Sequence, residues 1–260
     1  MQQIQITLHP DGVSAPAVKA ALECSEVVRF CLHALSAADL EQPPPFAGMY
    51  HLEGPKLSAD NRRQLYTTWI LGKAFQELTR GVRAALEEAY LFVDVAAMPA
   101  SVTTLAQLES SIESIRKRAN KASFPVLLEH VNAKLAVPMA FENEFRSLQS
   151  VRNCLEHRGG VVGATDVDEN GILTLSIPRL KCFYKRGDEE VEIAAGHVVD
   201  PGDAREQVEV LMRRDTRIRT YQLGEQVTFT ADELYETAFA CNLFASDLAS
   251  KLPVIGQAAT

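Results

Sequence analysis

The stretch SVRNCLEHRGG, Ser150 to Gly160, gathers a guanidinium, a carboxamide and an imidazole within six residues: Arg152, Asn153 and His157. These are groups suited to phosphate chemistry. Arginine stays charged and grips phosphate oxygens with a planar fork of donors. An imidazole, with a reference pKa of about 6.5, gives or takes a proton near neutrality. A carboxamide can orient either partner by hydrogen bonding. Ordinary end-of-helix chemistry accounts for the same letters. Arg152 and Glu156 stand four apart and can pair, and His157 and Arg158 suit the negative end of a helix dipole. On one straight helix Arg152 and His157 point about 140° apart, whereas Asn153 and His157 share a face. Aiming both at one phosphate therefore calls for arginine's long stem, a loosened last turn or a second subunit.

The helix that must carry these groups is expected to open at Pro138. Its apolar stripe is Phe141, Phe145, Leu148, Val151 and Leu155, a helical spacing, and Gly159 falls where a left-handed cap belongs. Before it, QIQITL alternates like a short strand and Ala17 to Leu40 reads as a helix. EQPPPFAGMYHLEGPK then forms a stiff loop. Leu57 to about Ala97 is a long helical pattern, capped by Ser58, with Leu65, Trp69, Phe75, Leu78, Val82 and Leu86 as its apolar positions. Ser101 to Lys121 is a further helix, and Ser123 caps another with Pro125 in its first turn. After Gly163 the segments ILTLSI, RLKCFY, VEIAAGHVV, RIRTYQL and QVTFT are short and β-rich, separated by NG, RGDE and PGD turns. Thr230 and Glu233 fit a capping box that starts a last helix bearing Leu234, Cys241, Ala245, Leu248 and Leu252. The expectation is a mainly α protein: an antiparallel helical bundle with a small antiparallel β insert before the last helix. Its parts are 1–57 (strand, helix, proline-rich loop), 58–163 (bundle core with the motif), 164–230 (β-rich insert) and 231–252 (helix returning to the bundle).

Other motifs point to little. DVDENG, Asp166 to Gly171, begins like a calcium loop, but its twelfth position is Ile177 where a bidentate carboxylate is needed; an Asn170-Gly171 hairpin turn explains the same letters. GGVVG lacks the preceding strand and following helix of a dinucleotide loop. His9, His33, His51, His130 and His197 have no partner histidine at a three- or four-residue step. The five cysteines are scattered and form no CxxC pair, so neither zinc nor a disulfide framework is expected. The basic run Arg116, Lys117, Arg118 and Lys121 reads as a solvated helix end, and as the first place to seek phosphate contacts should RNA be the ligand.

The totals set outer bounds. At 260 residues, 47% hydrophobic and net charge -8, the chain can bury a full core and argues against a broad nucleic-acid footprint. No signal peptide and no apolar run of membrane-spanning length is read, and thiols kept reduced suit the cytoplasm.

Arg152-Asn153, then Cys154-Leu155-Glu156, then His157 resembles the R-N-x-x-x-H signature of the HEPN superfamily. The striped helix leading in, Gly159-Gly160 following, and a strand insert with a returning helix are similar to stand-alone bacterial members. The likeness covers roughly Ser58 to Leu252. What it implies is a metal-independent endoribonuclease of a toxin or defence type, with no cofactor, acting as a homodimer with paired motifs. It would cut RNA by attack of the 2′-hydroxyl to leave a 2′,3′-cyclic phosphate, with Arg152, Asn153 and His157 catalytic. Arg116, Lys117, Arg118, Lys121 and Arg158 would be the RNA contacts, and a cognate antitoxin a further partner. The alternative is a catalytically silent module of the same kind that binds a protein partner or nucleotide.

Overall fold

The computed structural model describes residues 8–42, 54–98, 104–186, 188–193 and 209–253. It is mainly helical, with six helices among those residues: α1 (Pro10–Ala37), α2 (Ala59–Ala96), α3 (Leu105–Lys121), α4 (Phe124–Asn132), α5 (Glu142–Arg158) and α6 (Ala231–Lys251). A three-stranded antiparallel sheet precedes the last helix: β1 (Ile172–Arg186), β2 (Glu189–Glu192) and β3 (Glu209–Gln222), in the order β2-β1-β3. All but the last residue of the expected strand QIQITL, and most of the proline-rich loop, fall outside the described residues.

α2 is the spine. Ser58 Oγ accepts from the Asn61 N–H and so satisfies one of the orphan donors of its first turn. At 38 residues the helix runs roughly 57 Å at 1.5 Å per residue. α1 lies against it because Gly81 leaves no side chain in the way: a methyl there would overlap Ala20 Cβ and stand 3.1 Å from the Pro16 carbonyl oxygen. The buried Arg62 ties the far end, donating to the Leu40 and Leu57 carbonyls, while Arg63 holds the Leu35 carbonyl at 3.0 Å. α1 starts at Pro10, seven residues before the expected position. Proline is favoured at a helix start, and Pro16 lies inside the helix.

α6 returns to the bundle on its capping box: Thr230 Oγ1 accepts from the Glu233 N–H and Glu233 accepts from the Thr230 N–H. Leu234, Cys241, Ala245, Leu248 and Leu252 are all buried as the pattern requires. Its Phe244 ring meets Phe145 of α5 at 4.4 Å between centroids, and Phe75 of α2 stacks on Phe229 at 4.4 Å. The base of the sheet belongs to the same core, through Leu173, Leu175, Ile177 and Tyr221.

The structure corrects several expectations. ILTLSI and RLKCFY are one strand, paired with β3 from Ile172↔Gln222 to Lys185↔Glu209. Pro178 does not interrupt it, because β2 reaches only from Phe183 to Arg186 and leaves one side of β1 without a strand there. α5 covers that side, and Ser147 Oγ accepts from the Ser176 N–H at 2.6 Å. QVTFT makes no strand. Val227 and Phe229 are buried by alternation, but the Val227 N–H goes to the Gly160 carbonyl and only Gln226 forms a bridge, with Val161. Asn170-Gly171 is a tight turn leading into β1 rather than a hairpin between strands: Asp168 Oδ1 accepts from the Asn170 and Ile172 N–H groups at 2.9 and 3.0 Å. Ile177 at the twelfth calcium-loop position is buried in the core. Ser123 precedes α4 without a side-chain cap bond. Finally, Leu65 and Trp69 of the expected α2 stripe are exposed, although α1 reaches the same stretch of α2, where Arg63 bonds the Leu35 carbonyl.

Candidate functional site at the end of helix α5

α5 begins at Glu142, four residues later than Pro138 suggests, with Phe141 in the left-handed region as its N-cap. Phe145, Leu148, Val151 and Cys154 are its buried face. Its last turn closes as the glycines predict. Gly159 takes φ 61° and Gly160 φ 83°, and the Gly160 N–H bonds back to the Cys154 carbonyl at 3.1 Å, satisfying a carbonyl that the helix end leaves open. The segment after the sheet clamps this end: Gln226 Nε2 donates to the Gly159 carbonyl at 3.1 Å, and the Val227 N–H to that of Gly160 at 2.8 Å.

The polar face carries the motif. Arg152 Nη2 lies 2.6 Å from Glu156 Oε2, and His157 Nε2 lies 3.9 Å from the same oxygen. Glu156 Oε2 is thus bonded to the guanidinium, with the exposed imidazole nearby but beyond hydrogen-bond reach. Asn153 Oδ1 accepts from Gln149 Nε2 at 3.1 Å and from Arg152 Nη1 at 3.3 Å, so Asn153 fixes the arginine. The Arg152 side chain is only 20% exposed, the His157 side chain 62%. Chemically, this is a held cation and a free imidazole around one anion position. Cys154, between them in sequence, points inward, and burial pushes its thiol above the ordinary range.

The remaining predicted contacts are not part of this constellation. Arg158 is committed to Asp166, donating from Nε at 2.5 Å and also from Nη2, and the 4%-exposed Asp166 carboxylate takes the Gly163 N–H as well. That bond holds the Arg158 guanidinium even more firmly charged than usual. Lys117 pairs with Glu113 at 2.7 Å and Arg118 with Asp94 at 3.1 Å, while Arg116 and Lys121 enter no ion pair among the described residues. The run also lies away from the motif. Leu155 of α5 packs beside Gly72 of α2. The end of α3 is held instead by Arg83, which donates to the Ala122 carbonyl, and by Asp94. Those anchors are eleven and twenty-two residues further along α2, roughly 16 and 33 Å at 1.5 Å per residue. Sequence reasoning missed the roles of Gln149 and Asp166. Gln149 carries a signal, four residues before Asn153; Asp166 carries none, because its partner lies across the glycine turn.

All five cysteines are free. Among the described residues, no group of three metal-ligating side chains stands together, and no helix is long and apolar enough to cross a membrane. No family model, curated protein or solved structure matches this chain.

Proposed function

We propose that the chain is a metal-independent endoribonuclease of a toxin or defence type, as the likeness to the HEPN superfamily implies, working in the cytoplasm as a homodimer. The observation that carries the reading is the convergence of Arg152 and His157 on one Glu156 oxygen. A phosphate oxygen taking the place of that carboxylate would meet the guanidinium directly and have the imidazole alongside. RNA brings its own nucleophile. The 2′-hydroxyl attacks phosphorus, its proton passes to a base, the bond from phosphorus to the 5′-oxygen breaks, and that oxygen is protonated as the 2′,3′-cyclic phosphate forms. His157, the most exposed of the three groups, is placed to move a proton. Arg152 stabilises the charge that builds on the phosphate oxygens, and Asn153 keeps it aimed. A dimer would bring a second imidazole, giving separate groups for base and acid.

The Arg152–Glu156 pair also favours a second reading, since it locks the arginine to its own helix. In that case the chain is a silent module binding a protein partner, a cognate antitoxin among them, or a nucleotide. Purified protein incubated with single-stranded RNA in EDTA separates the two. Cleavage by the parent, at least a hundredfold faster than by His157→Ala and Arg152→Ala, supports the enzyme. A 2′-deoxy substrate survives if the internal hydroxyl is the nucleophile. No cleavage by the parent, with both variants folded, leaves the silent module.

A further inference from the structure

Beside the motif, α2 and α5 enclose a groove of about 420 Å³, lined on one wall by Leu65, Trp69, Lys73 and Gln76 of α2 and on the other by Leu155, Gly159 and Gln226. We propose that this groove is a nucleobase subsite, in which an unpaired base stacks on Trp69 while Gln76 and Gln226 meet its polar edge and Lys73 a flanking phosphate. The inference deepens the nuclease reading by placing a substrate base next to the scissile phosphate, but base binding there is measurable without cleavage.

Four observations carry it. First, Trp69 is 63% exposed, with Leu65 one turn before it also exposed. A bare indole face is a platform for a base, since every base has a π-face to stack. Second, Gln76 is a polar residue only 9% exposed that lines the groove. Its oxygen accepts from Lys73 Nζ at 3.1 Å, while its amide nitrogen donates to no group among the described residues. A nearly buried carboxamide with donors to spare is the kind of group that reads a base edge. Third, the floor is a glycine. At Gly72 even a methyl would meet only Leu155 Cδ2, at an ordinary contact distance of 3.8 Å, so no side chain rises from the floor beside Trp69. Fourth, the groove and the motif share α5: Leu155 follows Arg152 by three residues and precedes His157 by two, so it belongs to both. The volume falls within the roughly 300–1,000 Å³ typical of small-molecule sites. Trp69 also borders the groove between α1 and α2. That groove is far more apolar, and the Trp69 face beside Lys73 and the two carboxamides favours a base over a protein side chain.

The chain has one tryptophan, so its fluorescence reports the surroundings of Trp69, and Gln76, which lines this groove and not the α1–α2 one, assigns a change to it. The full-length protein is titrated with the uncleavable 2′-deoxy hexanucleotides dA6 and dU6. A saturable change in Trp69 emission is expected, with the midpoint rising several-fold in Lys73→Ala and in Gln76→Leu. Trp69→Ala, followed by anisotropy of a labelled hexanucleotide, should weaken binding by roughly ten- to a hundredfold, the usual range for loss of one stacked base. Absence of any emission change overturns the subsite, as does a change indifferent to both Lys73→Ala and Gln76→Leu. So does emission that tracks protein concentration instead of nucleotide, which would mean a second copy covers the indole. The two proposals fail separately: hexanucleotide binding without RNA cleavage removes the nuclease and leaves the subsite, and cleavage with silent Trp69 emission does the reverse.

Discussion

Gly81→Ala is the sharpest test of how α1 is seated. Two effects oppose each other. In an exposed helix the change would stabilise by about 1 kcal/mol, because alanine is the better helix former. Here the new methyl overlaps Ala20 Cβ and presses on the Pro16 carbonyl oxygen at 3.1 Å and the Ala17 Cα at 3.4 Å. All three are backbone or Cβ atoms, so no flexible side chain can swing clear and α1 itself must shift. Overpacking of this kind costs about 1–3 kcal/mol, and the fixed nature of the contact puts it toward the top of that range. The net expectation is a loss of about 1–2 kcal/mol, or a fall in Tm of roughly 2–8 °C for a chain of this size. Thermal and urea unfolding followed by circular dichroism measure it. Adding Ala20→Gly removes the worst overlap, so the double variant should show a favourable coupling of about 1 kcal/mol over the sum of the single changes. A Gly81→Ala protein as stable as the parent, or one with no coupling to position 20, would refute the close approach.

Three further outcomes follow from the same geometry. Burial pushes the Asp94 carboxyl up, but Lys134 and His130, with Arg118 also pairing to it, outweigh that and hold it below the usual carboxylate range. A depressed folded-state value means stability that is present above the unfolded value near 3.9 and is lost as pH falls below it; the gap in Tm between the parent and Asp94→Asn should therefore close below about pH 4. Glu156→Gln removes the anion that Arg152 and His157 share, and should raise RNA binding several-fold in a filter or anisotropy assay; weaker binding would assign Glu156 a role in holding Arg152 in place. Thr230→Ala removes half of the α6 capping box and should cost about 1 kcal/mol, read as a Tm lowered by roughly 2–4 °C.

Much of the fold was legible because its signals are local. The middle of the α5 stripe (Phe145, Leu148 and Val151), the cap at Gly159 and the Thr230–Glu233 box depend only on helical spacing and end chemistry, and each stands where expected. What failed depended on neighbours. Leu65 and Trp69 follow helical spacing like core residues, yet their side of α2 is left exposed. Val227 and Phe229 alternate inward as in a strand, but their backbone is spent on the end of α5. ILTLSI and RLKCFY, separate segments by sequence, run on through Pro178 as one strand because α5 and not a further strand lies beside β1 there. In the site, the Arg152–Glu156 pairing could be read from a four-residue step. The turn-spanning bond from Arg158 to Asp166 could not, nor could the apposition of Gln76 with Leu155, which exists only once two helices distant in sequence lie together.

A carboxylate one helical turn from Arg152 is a tethered competitor for any anion that approaches the arginine. It cannot diffuse away, so its effective concentration stays on the order of millimolar, and an incoming phosphate must beat that figure to displace it. Small free phosphates, holding on at one point, are thereby disfavoured. A polymer that gains further footholds along the same surface is not, so the tether sets a threshold that selects chain over fragment.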